Sequence, residues 1–168
     1  MSLRLCRPRY GNFKLVDVRS RVNVHSFTKY FNTLPNVNTH IPLHPPLETV
    51  LDIFGEYADV KESVAVTRER ITAAPFLRDW HRNGVSVTGI LCVNRESVDG
   101  GHCELVMPGA DPHSKFFTHL LWPGDFLIFD DPVLFHRITP VTPEDASPYG
   151  YMDLLYITTP GTGESCSL

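Results

Sequence analysis

Short apolar runs in which hydrophobic and polar residues alternate fill most of the chain from residue 63 onward. These runs are SVAVTRERI, GVSVTGILCV, HCELVM, DFLIFD, VLFHRITPV and YMDLLYIT. Alternation is typical of β-strands that bury one face, and turn-forming residues separate most of the runs. In GVSVTGILCV it places Val85, Val87, Gly89, Leu91 and Val93 on one face of a strand. The pattern therefore predicts a mainly β fold, built as a sandwich or barrel.

One amphipathic helix precedes these strands. Hydrophobic residues recur at helical spacing between residues 47 and 60, and Pro46 suits the first turn of a helix. The residues on the apolar face are Leu47, Val50, Leu51, Phe54 and Tyr57. We expect this helix to cover one face of a sheet. YGNFKLVDV predicts an earlier strand, whereas the rest of residues 1–46 is expected to be irregular and to form a pocket wall.

The 168 residues are expected to form a single domain. Residues 62–158 would make up the β core, and the small, polar residues 159–168 a frayed tail. The 14 prolines and 11 glycines agree with many turns between short strands.

Composition and charge exclude some classes of function. The net charge is -4 and no run of lysine and arginine offsets it, which argues against a nucleic-acid binder. There is no apolar run of 18 residues and no apolar leader, so we expect a cytoplasmic protein without a membrane partner. The four cysteines form no Cys-x-x-Cys pair, which argues against a structural zinc site and favours free thiols.

Two of the eight histidines lie where a β fold would bring distant segments together. His81 precedes a predicted strand in DWHRNGVSV, and His136 lies inside VLFHRITPV. A jelly roll brings its second and seventh strands together at one mouth, so we expect the two imidazoles side by side. Taken alone, Asn83-Gly84 indicates a tight turn with an incidental histidine. With a carboxylate at position 83, the set would instead match the coordination sphere of non-haem Fe(II) oxygenases.

A longer series of motifs resembles a known family. WHRNGVSVTGILCVNRESVDGGHCELV is followed by PGDFLIFDDPVLFHRITPV and then by GYMDLLYIT. Their order and spacing resemble those of Fe(II)/2-oxoglutarate dioxygenases that hydroxylate free amino acids such as isoleucine, over about residues 62 to 158. The resemblance implies a double-stranded β-helix of the jelly-roll or cupin type, with one or two flanking helices. It also implies Fe(II) and 2-oxoglutarate as cofactors.

By position, the resemblance assigns metal binding to His81, Asn83 and His136. Asn83 stands where the family has an aspartate, and a neutral amide is expected to hold Fe(II) less tightly. Met152 stands where the family has the arginine that pairs with the distal carboxylate of 2-oxoglutarate. Because a buried carboxylate needs a cation, we expect Arg70 to replace that arginine. No catalytic side chain is implied beyond the metal site.

Roles for five neighbouring residues stay open. Arg95 and Arg137 are further candidates for the co-substrate carboxylate, although alternation points Arg137 away from the site. His102 is a reserve candidate for the missing ligand. Asp130 and Asp131 are expected to accept hydrogen bonds from turn amides ahead of the distal histidine.

The sequence therefore predicts an oxygenase that hydroxylates a small, amino-acid-like molecule. The alternative is a family member without turnover that binds a small molecule or metal without 2-oxoglutarate, because Asn83 and Met152 both depart from the pattern. A changed co-substrate is a further hypothesis, as is an asparagine introduced to trap an inactive complex. Asn83-Gly84 is also prone to deamidation, which would create an aspartate at the ligand position. The oligomeric state is undetermined.

Overall fold

The protein is described by a computed structural model that covers residues 11–32, 41–58, 64–72, 79–111, 115–144, 147, 149–161 and 166–167. The strands are β1 (Phe13–Asp17), β2 (Ala65–Thr72), β3 (His81–Arg82), β4 (Val87–Glu96), β5 (Val98–Gly100), β6 (His102–Val106), β7 (Phe117–Leu120), β8 (Asp125–Asp130), β9 (Phe135–Ile138), β10 (Val141–Pro143), β11 (Tyr151–Thr158) and β12 (Cys166–Ser167). The helices are α1 (Thr28–Phe31) and α2 (Pro45–Tyr57), and a 3-10 turn, Val24–Phe27, leads into α1. Within the described ranges, no helix is both long and apolar enough to cross a membrane.

Two antiparallel sheets face each other. The first sheet has the strand order β1-β8-β4-β11-β2, and the second sheet has the order β12-β3-β9-β6-β7. Strands β5 and β10 pair separately as a short ribbon. Neighbouring strands within each sheet are mostly distant in sequence, as expected when the chain crosses back and forth between two sheets. The predicted mainly β, double-stranded β-helix fold is confirmed.

The first sheet is buried on both faces. On β8, Leu127 and Phe129 point into the core between the two sheets, whereas Phe126 and Ile128 belong to the core beneath α2. This double burial explains why DFLIFD is apolar without a break between its terminal aspartates. We call the side of the sheet that meets the second sheet the inner face, and the side that meets α2 the outer face.

Helix α2 covers the outer face, as predicted. His44 caps the helix, because its Nδ1 accepts a hydrogen bond from the Leu47 N–H at 3.3 Å. The helix begins at Pro45 and ends at Tyr57, so it starts two residues before the expected boundary, and residues 59 and 60 lie outside the described ranges. Its buried residues are Leu47, Val50, Ile53 and Phe54.

Several short elements depart from the expected boundaries. The tail was expected to fray, but Cys166 and Ser167 pair with Arg82 and His81 as an edge strand of the second sheet. Two-residue strands such as β3 and β12 are too short for alternation to be visible in the sequence. Helix α1 and the turn before it lie within the part of residues 1–46 that was expected to be irregular. Residues 33–40 of the predicted pocket wall lie outside the described ranges, so that wall stays a prediction.

Gly89 allows α2 to approach the first sheet closely. A Cβ at this position would lie 2.8 Å from Phe126 Cε2 and 3.1 Å from Phe54 Cε2. Gly89→Ala is therefore expected to lower the free energy of unfolding by about 1–3 kcal/mol through overpacking. The matched control is Gly55→Ala in α2, where nothing lies within 4 Å of the added Cβ. This change should raise the free energy of unfolding by roughly 0.5–1 kcal/mol, because alanine has the higher helix propensity. Urea denaturation of both variants measures the contrast, and equal effects would contradict the close approach.

Candidate metal centre

The second sheet brings His81 and His136 together. Strand β3 pairs with β9 in a register that places the two residues directly opposite each other. Their ring centroids are 4.2 Å apart, although 55 positions separate them in the sequence. His136 is 2% exposed and also packs on Phe129, at 4.9 Å between ring centroids. The expected juxtaposition of the two imidazoles is therefore present, and its use for metal binding stays a prediction.

Hydrogen bonding identifies the tautomer of His81. Its Nδ1 lies 3.0 Å from the carbonyl oxygen of Asp79, which can only accept a hydrogen bond. In the neutral ring this hydrogen bond requires the proton on Nδ1, which leaves the Nε2 lone pair for a ligand. A metal-binding histidine is commonly oriented in this way by a backbone carbonyl.

Asn83 and Gly84 lie in a bend between β3 and β4, which belong to different sheets, and a buried carboxylate anchors this bend. Asp131 is 1% exposed, and its Oδ1 accepts a hydrogen bond from the Asn83 N–H at 3.0 Å. Its Oδ2 accepts from the N–H groups of Gly84 at 2.9 Å and Val85 at 3.3 Å. Gly84 has a φ of +75°, which glycine adopts without strain. The segment is thus a turn and, at the same time, a support for the candidate ligands.

The same carboxylate also orients the Asn83 side chain. The Thr88 hydroxyl donates to Asp131 Oδ1 at 3.3 Å and accepts a hydrogen bond from Asn83 Nδ2 at 3.1 Å. With Nδ2 used in this way, Oδ1 is the side-chain atom of Asn83 that can serve as a metal ligand. Gly84 N–H is the group that would attack in deamidation. Its hydrogen bond to Asp131 argues against that reaction in the folded protein.

Asp131 supports the site without being a ligand. Burial raises the pKa of its carboxyl above the usual value, against the opposing effect of hydrogen bonds from Asn83, Val85, Gly84 and Thr88. These donors form hydrogen bonds with both carboxylate oxygens of Asp131. The negative charge of Asp131 therefore lies behind Asn83 and not at a ligand position. Asp131 does accept backbone amides, but they belong to Asn83, Gly84 and Val85 and not to the turn ahead of His136, where they were expected.

Arg70, the residue expected to bind the co-substrate carboxylate, has a different partner. Its Nε and Nη2 donate to the two carboxylate oxygens of Asp153 at 2.7 and 2.8 Å. The guanidinium also lies 4.0 Å from the Tyr151 ring centroid. Asp153 is opposite Arg70 in the register, on the outer face of the first sheet with Leu155. This placement argues against the expected role, because the cation is neutralised on the face that points away from the second sheet.

Arg137 and His102 also lie away from the candidate ligands. Arg137 Nε donates to Glu104 Oε2 at 2.7 Å, and its guanidinium lies 4.4 Å from the Trp80 ring centroid. Both contacts are on the side of the second sheet that faces away from the first sheet. Alternation along β6 places His102 on that side too, because Cys103 points into the core between the sheets.

Met152 and Arg95 meet on the inner face of the first sheet. They are cross-strand partners on β11 and β4, and Arg95 Nη1 lies 3.7 Å from Met152 Sδ. Strict alternation from Leu91 would place Arg95 on the outer face. A β-bulge prevents this, because Val93 has no partner in the register between β4 and β11. Sequence reasoning that assumed unbroken alternation could not identify the face on which Arg95 lies.

Comparison with known proteins places this arrangement in a family. Residues 52–158 match the family model described as 2OG-Fe dioxygenase. The chain belongs to the 2OG-Fe dioxygenase family. This family uses Fe(II) and 2-oxoglutarate (2OG) as cofactors. No relative among curated protein sequences matched the chain.

Several solved structures share the fold. A bsmA homolog from Methylobium petroleophilum PM1 is similar with a TM-score of 0.58 and 22% identity, over 72% of this chain and 55% of that one. IDO from Bacillus thuringiensis has a TM-score of 0.55 and 18% identity, over 68% and 59%. A Pseudomonas putida prolyl-4-hydroxylase has a TM-score of 0.59 and 10% identity, over 90% and 94%. This chain therefore spans little more than half the length of the first two proteins.

The candidate ligands supply the types of atom that Fe(II) binds. His81 Nε2, a ring nitrogen of His136 and Asn83 Oδ1 would supply two nitrogens and one oxygen, which leaves positions for a co-substrate. They differ from the usual set in charge, because the amide is neutral. Among the described residues, no group of three or more His, Cys, Asp or Glu side chains could hold a metal ion. Among these residues, Asn83 is the side chain that would complete a set of three candidate ligands with His81 and His136.

Asn83→Asp is expected to tighten metal binding. A carboxylate at this position adds one negative charge beside the metal, and we expect the dissociation constant for Fe(II) to fall by roughly 10- to 100-fold. Anaerobic calorimetric titration with Fe(II) measures this change. Asn83→Ala, which removes the oxygen, should weaken binding. If Asp and Ala variants bind Fe(II) equally, position 83 does not contribute a ligand.

Asp131→Ala is expected to destabilise the turn. The change leaves the N–H groups of Asn83, Gly84 and Val85 without their acceptor, so the free energy of unfolding should fall by about 1–3 kcal/mol. Urea denaturation followed by circular dichroism measures the loss. Asp52→Ala, at an exposed position of α2, should change stability by less than about 0.5 kcal/mol. A similar result for the two variants would show that Asp131 does not hold the turn.

Proposed function

We propose that this protein is an Fe(II)- and 2-oxoglutarate-dependent oxygenase that hydroxylates a small, amino-acid-like molecule. The observation that carries the proposal is the pairing of His81 with His136 beside the Asn83 turn, in a chain of the 2OG-Fe dioxygenase family. In this assignment the two histidines and Asn83 hold the metal. Bound Fe(II) and 2-oxoglutarate supply the oxidising chemistry, in which oxygen enters a C–H bond and 2-oxoglutarate becomes succinate and carbon dioxide.

The protein's own groups hold and orient the reactants. The Asp79 carbonyl keeps the proton of His81 on Nδ1, so that Nε2 can face the metal. Asp131 fixes the backbone of the Asn83 turn, and Thr88 fixes the amide. The apolar inner core around Phe129 limits the access of water to His136. Preorganisation of this kind means that little reorientation is needed when the cofactors bind.

The resemblance to free-amino-acid hydroxylases supports the substrate class. The motifs that carry it extend through β3, β4, β8, β9 and β11, and they therefore include strands of both sheets. The prolyl-4-hydroxylase with a similar fold is named for hydroxylation of prolyl groups, which is a related reaction on an amino-acid unit. The family assignment favours this enzyme over a binding protein without turnover.

Succinate formation tests the proposed activity. Protein loaded anaerobically with Fe(II) is exposed to oxygen and 2-oxoglutarate in the presence of each member of a panel of free amino acids. We expect one or a few amino acids to stimulate succinate formation and to gain the mass of one oxygen atom. His136→Ala should lower the stimulated rate by at least about 100-fold, because it removes a proposed metal ligand.

The Asn83→Asp variant separates the two candidate functions. If it forms succinate faster than the wild type does, the asparagine weakens an active site that is otherwise complete. If neither protein retains Fe(II) or forms succinate with any amino acid, the oxygenase proposal is wrong. A small-molecule-binding role would then be the better account of the fold.

A further inference from the structure

Arg95 differs from the other two candidate arginines in the face on which it lies. Arg70 and Arg137 form ion pairs with Asp153 and Glu104, and both point away from the core between the sheets. Arg95 is turned to the inner face by the bulge at Val93. It is therefore the member of this set that can meet a ligand held between the two sheets.

The guanidinium of Arg95 is held in place by neutral groups. Its Nη2 donates to the carbonyl oxygens of Gly100 at 2.8 Å and Val98 at 3.4 Å, and Nη1 lies beside Met152 Sδ. Among the described residues, no carboxylate lies within ion-pair distance of it. Burial lowers the pKa of Arg95 below its usual value, because the loss of hydration outweighs the opposing effect of Cys92, Asp99 and Glu144. An anionic ligand would offset this cost.

A glycine allows Met152 and Arg95 to pack closely against the backbone. Gly101 has a φ of +71°, and a Cβ there would lie 2.8 Å from Met152 Sδ and 3.2 Å from Arg95 Nη1. On another side the Trp122 ring centroid lies 5.7 Å from Arg95 Cζ, and Trp122 is 54% exposed. The guanidinium is thus packed closely against Gly101 and Met152, and Arg95 is only partly buried.

We propose that Arg95 binds the distal carboxylate of 2-oxoglutarate, in place of the arginine that is absent at position 152. The inference rests on the proposed function, because it needs 2-oxoglutarate at the metal. Arg95 has five N–H donors, and its contacts with Val98 and Gly100 leave others for a carboxylate. In this assignment the arginine lies on β4, directly opposite Met152, and not on β11. Arg95 is a co-substrate-binding residue in this assignment, and Met152 packs against its side.

A pair of ligands that differ only at the distal end tests the proposal. 2-Oxoglutarate and 2-oxopentanoate share the 2-oxo acid group and the chain length, but 2-oxopentanoate has a methyl group in place of the distal carboxylate. Anaerobic calorimetry with the Fe(II)-loaded protein gives the ratio of their dissociation constants. We expect the wild type to prefer 2-oxoglutarate by roughly 10- to 100-fold. Arg95→Gln should reduce the preference to less than about threefold.

Three controls separate a binding role from a structural one. Arg137→Gln, on the far side of the second sheet, should keep the wild-type preference. Arg95→Lys keeps the charge but loses the planar pair of donors, so its preference should be intermediate. The double variant Arg95→Met/Met152→Arg returns the arginine to β11 and should restore the preference. A merely structural loss would weaken both ligands equally and leave their ratio unchanged.

Protection from chemical modification gives a test without substitutions. Phenylglyoxal modifies accessible guanidinium groups, and peptide mass spectrometry reports each arginine separately. 2-Oxoglutarate should slow modification of Arg95 several-fold relative to Arg137, whereas 2-oxopentanoate should not. An unchanged preference in Arg95→Gln, or no selective protection, overturns the role of Arg95 alone. If the Fe(II)-loaded wild type binds neither acid, the proposed function fails as well.

Discussion

The carboxylate of Asp131 is the group on which the candidate site depends. Three consecutive backbone N–H groups, from Asn83 to Val85, donate to it, together with the Thr88 hydroxyl. Without an acceptor, these donors would be left unsatisfied in a partly buried segment, which costs free energy. With it, the chain leaves β3 in a fixed direction, so that His81 lies opposite His136 and Asn83 follows two residues later. One buried acid on the loop after β8 thus organises ligands from two other segments.

The extra residue in β4, Val93, determines on which face of the first sheet the later side chains of this strand lie. Before the bulge at Val93, the inner face of β4 is apolar, with Ile90 and Cys92 in the core. After it, Arg95 enters the same face, while Asn94 lies with Asp153 on the other side. Because a one-residue shift reverses the face of every later side chain, the bulge determines which cation can meet a ligand.

Much of the fold was predictable because its signals are local or repeated. Seven predicted strand regions, including YGNFKLVDV, and helix α2 appear in the structure, since alternation and helical spacing directly reflect burial of one face. The juxtaposition of His81 with His136 followed from jelly-roll topology together with the motifs. Strands β3 and β12 were not predictable from alternation, because two residues cannot show a period. The partner of Arg70 was missed for another reason: Asp153 lies 83 positions away, and only the register of β2 with β11 brings the two together.

The two departures from the family pattern affect the charge of the site in related ways. Fe(II) bound by two neutral imidazoles and an aspartate has a net charge of about one unit, but with Asn83 it keeps about two. Metal retention by the protein is then weaker, while attraction to the chelating end of a dianionic co-substrate is stronger. If Arg95 neutralises the distal carboxylate, the other end of 2-oxoglutarate brings one negative charge to the metal, as the aspartate would have done. The metal and the co-substrate would therefore depend on each other for binding more than they do in relatives with a carboxylate ligand. Under these two proposals, Asn83 would make the anchoring of 2-oxoglutarate part of the means by which the site keeps its metal.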